Sequence, residues 1–145
     1  MYYDPSKGHG LPHNPFNAIV SPRPIGWVST RSKDSIDNLA PYSFFNAVAY
    51  TPPQVMFSAT SAKADQDGTK DTVANIRETG VFCVNIVSEK QLYEMNKSSQ
   101  ALSKEIDEFE FSDIEKQECN AINCPLVAGG PAAFCLLYTS DAADE

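Results

Sequence analysis

No apolar run in this sequence approaches the roughly 20 residues that a membrane-spanning helix requires, so nothing in it reads as a helical anchor. The opening residues, Met1-Tyr2-Tyr3-Asp4-Pro5, have neither the basic start nor the apolar stretch of a secretory signal, and the expectation is a cytoplasmic protein. Gly-x-Gly-x-x-Gly, a Walker loop and Gly-x-Ser-x-Gly are all missing, which removes the main supports for a Rossmann cofactor domain, a phosphoryl-transfer enzyme and a serine hydrolase. Cysteine is sparse. Cys83, Cys119, Cys124 and Cys135 contain no Cys-x-x-Cys pair, which argues for reduced thiols rather than a disulfide framework or a metal site. His9 and His13 lack companion ligands and suggest neither a metal centre nor catalysis.

Positive charge is also scarce, and its placement is informative. The chain carries 11 Lys and Arg against 19 Asp and Glu, a net charge of −8, so nucleic acid and anionic membrane are improbable partners. Residues 1–80 hold seven bases and seven acids, whereas residues 81–145 hold four bases and twelve acids. A phosphate-bearing ligand would therefore dock on the neutral first half. The 145 residues, 42% of them hydrophobic, suffice for one core, and no repeat or long linker divides them.

What is present reads mostly as strand. Ile25, Trp27 and Ser29 alternate with Gly26, Val28 and Thr30, and the polar loop Arg31 to Asn38 returns the chain as a hairpin. The segment Asn38 to Asn46 reads as a second strand, Tyr42 to Tyr50 continues rich in aromatic and small residues, Thr51-Pro52-Pro53 breaks it, and Gln54 to Thr60 alternates again. Ser61 to Lys70 is a run of turn formers and charges. Asp71 or Thr72 can cap a helix that carries Val73, Ile76 and Arg77 and stops at Gly80. Val81 to Val87 is a near-continuous apolar strand, and Ser88 can cap an amphipathic helix with Leu92, Tyr93 and Met95. Glu105 to Glu118 holds seven acids in fourteen residues and reads as a solvated surface segment.

Three segments carry chemistry. Pro22, Pro24 and Pro41 interrupt strand-like runs, and proline, having no N–H to donate, belongs at strand starts, edges or bulges, where neighbouring backbone groups are left for a ligand. Lys70 stands beside a helix N-terminus, whose unsatisfied N–H groups and partial positive charge suit a phosphate dianion, with the hydroxyls of Thr69 and Thr72 as further donors. Taken alone, that segment is better described as a solvated lysine beside an ordinary N-cap. Trp27 alone reads as core or ligand contact, and Ser43 and Asn46 alone as a small strand residue and a turn residue.

Ser21-Pro22-Arg23-Pro24-Ile25-Gly26-Trp27-Val28-Ser29-Thr30, Asn38-Leu39-Ala40-Pro41-Tyr42-Ser43-Phe44-Phe45-Asn46 and Thr69-Lys70-Asp71-Thr72 together resemble the flavin reductase-like family of FMN-binding split barrels, from about Tyr3 to Phe134. The resemblance implies a mainly β, Greek-key-like split barrel with two or three short helices, formed by residues 1–145 as a single domain. It implies FMN as cofactor and NAD(P)H as electron donor. It places Lys70, Asp71 and Thr72 at the FMN phosphate with Trp27, Ser29 and Thr30 near that end, and gives Ala40, Pro41, Tyr42, Ser43 and Asn46 to the flavin ring. It also implies a homodimer, for which Phe44 to Tyr50 is a partner surface. The activity implied is hydride transfer from NAD(P)H to FMN. The alternatives are an FMN-binding electron carrier or sensor without turnover, and an inactive truncated fragment. The last alternative arises because Cys135 to Glu145 departs from the family pattern and resembles translated adaptor read-through, so the domain is expected to be incomplete at its C-terminus.

Overall fold

The computed structural model describes residues 2–60 and 68–140; the expected loop at 61–67 and the tail at 141–145 lie outside the described residues. The chain is mainly β, with a few short helices, as expected. Strands β1 (Gly26–Arg31), β2 (Asp37–Tyr42), β5 (Val81–Ile86) and β8 (Ala133–Leu137) form an antiparallel sheet in the order β2-β1-β5-β8. Two separate hairpins flank it, β3 (Phe45–Tyr50) with β4 (Pro53–Phe57), and β6 (Lys116–Glu118) with β7 (Pro125–Val127).

The central strands are covered on both faces, and the period of two decides which core each residue joins. Trp27 packs with Leu39, Met95, Phe109 and Val127 on one side, whereas Val28 packs with Tyr42, Ile76, Phe82 and Val84 on the other. Each large apolar side chain so buried stabilises the fold by roughly 1.5–3 kcal/mol. Buried polar groups tie the layers together. The Asn85 amide donates to the Trp27 carbonyl at 3.0 Å and to Ser29 Oγ at 3.1 Å, and its oxygen accepts from the Val127 N–H at 2.9 Å, which fastens β7 over β1 and β5.

The expected strand Asn38 to Asn46 is broken at Ser43 and Phe44. Tyr42 pairs with Gly26, the first residue of β1, so the ladder has no partner beyond it, and the chain bends away to pair with β4 instead. β4 likewise stops at Phe57 rather than Thr60. Pro41 sits opposite Trp27 in the outer strand of its sheet, and Pro22 and Pro24 precede β1, all positions where a missing N–H costs little.

The described residues form four α-helices: α1 (Pro15–Ile19), α2 (Asp71–Thr79), α3 (Leu92–Lys97) and α4 (Glu108–Phe111). α2 ends as expected at Gly80, whose φ of 75° is a left-handed C-cap that costs glycine nothing. Its start differs from expectation, because Lys70, not Asp71 or Thr72, occupies the N-cap position. Ser88 does form a capping box with Gln91, but around a single 3-10 turn ahead of α3, and Leu92 and Tyr93 face solvent while Met95 is buried. The reading of Glu105 to Glu118 as a solvated surface holds for the exposed Glu105, Glu110, Asp113, Glu115 and Glu118 but fails at α4. Phe109 is fully buried and Glu108 nearly so, since α4 packs on β2, where Asn38 and Leu39 supply hydrogen bonds to the carboxylate. Lys116 answers the acids on either side of it, pairing with Asp107 and, at 2.9 Å, with Asp37. No helix among the described residues is long and apolar enough to cross a membrane.

The β2–β3 corner depends on a close approach. A Cβ on Gly26 would stand 2.8 Å from Cγ and Cδ2 of Phe45, inside any normal contact, so the ring lies directly over the glycine. Gly26→Ala is expected to destabilise the protein by about 1–3 kcal/mol through overpacking, read as a lower midpoint in urea at unchanged slope.

Candidate functional site

A cleft of about 270 Å³ opens where the end of β2 meets the start of α2, between Ala40, Pro41 and Tyr42 on one side and Lys70, Asp71 and Thr72 on the other. Its floor and far wall come from Ser98 to Ala101 and from Glu108. Lys70 makes no side-chain cap to α2, so the first N–H groups of a nine-residue helix receive no acceptor from the N-cap side chain. Those groups carry the positive end of the helix dipole. The Lys70 ammonium lies 5.5 Å from the centroid of the Tyr42 ring, which adds a full charge at the same end.

Asn38 organises the cleft from beneath. Its amide nitrogen donates to Glu108 Oε2 at 3.0 Å, and its oxygen accepts from Thr72 Oγ1 at 2.6 Å and, at 3.4 Å, from Thr30 Oγ1. Thr30 in turn accepts from the Asn75 amide at 3.0 Å. Because an amide oxygen only accepts, the Thr72 proton is committed to Asn38. The Thr72 hydroxyl, expected to face an anion, points its proton inward to Asn38 in this arrangement.

Tyr42 is 4% exposed, yet its hydroxyl has no hydrogen-bond partner among the described residues. Burial pushes its pKa up to about 12 against the lowering effect of the nearby Thr72 hydroxyl, which stands outside ideal hydrogen-bond geometry, and the carboxylates of Asp71 and Glu108 add to the rise. The hydroxyl oxygen is itself buried, so Tyr42 borders the cleft through the rest of its side chain. Burial likewise raises Glu108 to about 7, and the neighbouring Asp71 charge acts in the same direction against the bonds from Leu39 and Asn38.

The structure brings together six of the expected site residues, Ala40, Pro41, Tyr42, Lys70, Asp71 and Thr72. Trp27, Ser29 and Thr30 lie beneath them with no exposed surface: Trp27 Nε1 donates to Ser98 Oγ at 2.9 Å, and Ser29 Oγ donates to the Pro125 carbonyl at 2.6 Å. Ser43 stands at the β2–β3 bend and Asn46 on the exposed side of β3, both outside the cleft lining. Sequence reasoning missed Asn38, although it opens a quoted motif, and Glu108, whose one signal was the alternation of acids with Phe109 and Phe111. A larger cavity of about 450 Å³ lies between β4, α2 and the C-terminal segment and contains none of the expected residues. The sulfur atoms of Cys83, Cys119 and Cys135 gather within 4.8 Å, a proximity the spacing gave no hint of. The register of β8 on β5 sets Cys135 opposite Cys83, so the segment expected to be a non-native tail supplies, from Cys135 to Leu137, part of a strand of the main sheet.

Residues 20–139 match the model of the flavin reductase like domain. An uncharacterized protein of Aquifex aeolicus is 40% identical over 121 residues, which cover 83% of this chain and 61% of that protein. The chain spans about half the length of other curated relatives it matches. Among solved structures, nitrilotriacetate monooxygenase component B from Bacillus cereus superposes with a TM-score of 0.83 at 27% identity, over 94% of this chain and 67% of that one. A protein with a split barrel domain from Shewanella frigidimarina superposes with a TM-score of 0.68 at 17% identity, over 79% of this chain and 55% of that one, a likeness of fold alone.

Two outcomes follow from the buried groups. Tyr42→Phe removes an unpartnered hydroxyl, so thermal unfolding of the ligand-free protein should be unchanged or slightly higher, by up to about 1 kcal/mol, in contrast to the loss usual for deleting a buried hydrogen bond. Glu108 binds its proton more tightly in the folded state than at the ordinary value of 4.5, so its contribution to stability is greatest below that pH and declines as pH rises to about 7. The decline amounts to roughly 3 kcal/mol at most and should be absent in Glu108→Gln, read as the difference between the two proteins' urea stabilities across pH 4 to 8.

Proposed function

This chain belongs to the family of flavin reductase like domains, a flavin-related oxidoreductase family with the split-barrel fold, and on that premise we propose that it binds FMN in the Tyr42–Lys70 cleft and uses it to oxidise NAD(P)H. What supports the reading is the start of α2, which the Lys70 side chain does not cap, with the Lys70 ammonium held over the Tyr42 ring at the same end of the cleft. Lys70 and the backbone of Asp71 and Thr72 hold the phosphate, where the helix dipole and the ammonium act together. Ala40, Pro41 and Tyr42 line the path toward the ring, and Ser43 and Asn46 are the polar groups beyond it. Trp27, Ser29 and Thr30 support the site from the sheet below.

FMN, once bound, supplies an acceptor for the hydride of a reduced nicotinamide nucleotide, chemistry that lies outside the reach of amino-acid side chains. The protein's own task is to bind, align and exclude water, which requires no nucleophile and no catalytic triad. Aligning the reacting partners is worth several kcal/mol of barrier, about 7–11 in well-oriented systems. The same reading has the protein acting as a cytoplasmic homodimer, with the exposed Val48 and Tyr50 of β3 supplying apolar surface to the partner.

The purified protein should be yellow with flavin absorbance bands, and should oxidise NAD(P)H when FMN is added. Lys70→Ala should weaken FMN about tenfold to a hundredfold, the loss of a charge-assisted contact of about 1.5–3 kcal/mol, while riboflavin, which has no phosphate, is hardly affected. Equal loss for both ligands in a fluorescence titration would place the phosphate elsewhere. Binding of FMN without NAD(P)H oxidation would leave a carrier or sensor.

A further inference from the structure

Among the described residues, Glu108 is the one acid of the C-terminal, acid-rich half that lines the cleft, and it does so buried. Its Oε2 accepts from both the Asn38 side chain and the Leu39 backbone, at 3.0 and 3.2 Å. The first of these contacts fixes the orientation of the Asn38 amide, since reversing it would set an NH2 group against the Thr72 and Thr30 hydroxyls and an oxygen against a carboxylate. Orientation then passes along the chain of contacts to Thr72, in the first turn of α2. The carboxylate also lines the cleft in its own right, together with Lys70 and Asp71.

We propose that Glu108 is a positioning residue of the cleft and sets its affinity for an anion: through Asn38 it holds the Thr72 hydroxyl away from the ligand, and its negative charge opposes a phosphate bound at the start of α2. The proposal rests on the assignment of that helix start to the FMN phosphate. The groups facing Glu108 are Tyr42 and Asn38 from β2 and Lys70 and Asp71 from the start of α2. Across the adjoining cleft on its other side stand Asp34, Glu78, Lys104 and Glu105. Bases are outnumbered in this set, so the surroundings favour a neutral Glu108, and an arriving phosphate favours it further. Phosphate binding therefore draws a proton onto Glu108. The proton comes from solvent and returns on release.

The sign of the resulting pH dependence is diagnostic. Ionisation of Glu108, centred near pH 7, weakens FMN binding as pH rises. The second ionisation of a phosphate monoester, near pH 6, strengthens it. Fluorescence titrations of FMN and riboflavin from pH 6 to 9 on the wild type, Glu108→Gln and Glu108→Leu separate the two effects. Wild type should lose affinity for FMN by about tenfold between pH 6.5 and 8.5, the equivalent of one unit of pKa coupling, with riboflavin nearly constant. Glu108→Gln retains an acceptor for Asn38 and should hold FMN at the tight, low-pH level throughout. Glu108→Leu removes both the charge and the hold on Asn38, so it should bind FMN at least as tightly as Glu108→Gln with no loss as pH rises, and weaker binding at every pH overturns the claim that Glu108 keeps Thr72 from the ligand; if it fails to fold, Glu108→Gln still decides the matter.

A wild-type pH profile in Glu108→Gln overturns the electrostatic part of the proposal. A ligand-free measurement addresses the positioning part. The backbone amides of Leu39 and Thr72 should shift with a common midpoint near pH 7 in NMR spectra of the wild type and stay still in Glu108→Gln, and unmoved wild-type signals overturn the coupling. If the wild type binds no FMN at any pH, the assignment of the site fails and takes the electrostatic part with it, whereas the NMR titration decides the Asn38–Thr72 link independently.

Discussion

The side chain of Asn38 is the constraint on which the functional end of this molecule depends. It is 6% exposed and makes hydrogen bonds to residues of β1, α2 and α4 from its own place in β2. In a low-dielectric interior such bonds are strong when every member is satisfied and costly when one is removed, so four elements distant in sequence are held in one geometry. The cleft is the space left above that junction.

Electrostatics in the cleft runs between two opposed tendencies. The start of α2 and Lys70 gather positive potential, while Asp71 and Glu108 stand close enough to cancel much of it. Burial resolves the conflict by disfavouring charge on Glu108, so the net field near neutral pH remains suited to an anion. Beneath, Trp27 joins the fully buried Leu39 and Phe109 in an apolar floor, and its indole N–H is satisfied by Ser98. That floor excludes water from the underside of the site, and each electrostatic contact above it gains from the lower dielectric.

Much of the fold was legible in the residues. β1, β5, the C-cap at Gly80 and the outer-strand position of Pro41 followed from periodicity and from the backbone limits of glycine and proline, which act locally and leave the same mark in any context. The motif at Lys70 to Thr72 pointed to a helix start with a positive end, and it stands there. Less legible was the break at Ser43 and Phe44, because nothing local ends a strand there; the ladder stops where β1 stops. The segment from Glu105 to Glu118 was legible in its exposed acids but not at α4, for a related reason. Its composition describes a solvated surface, but the burial of Glu108 is made tolerable by the N–H groups of Asn38 and Leu39, some seventy positions earlier.

The sequence by itself determined the strand periods, the placement of prolines and the concentration of basic residues in the first half, because each of these follows from single-residue stereochemistry or from counting. It also carried the ordered motifs by which the family is known. Tertiary structure alone decided that Thr72 turns its hydroxyl inward, that Tyr42 keeps an unpartnered one at the cleft, and that an acid from the far end of the chain becomes part of the site. Those outcomes depend on which groups meet after folding and on how much water is left between them, and neither quantity is written at any one position of the chain.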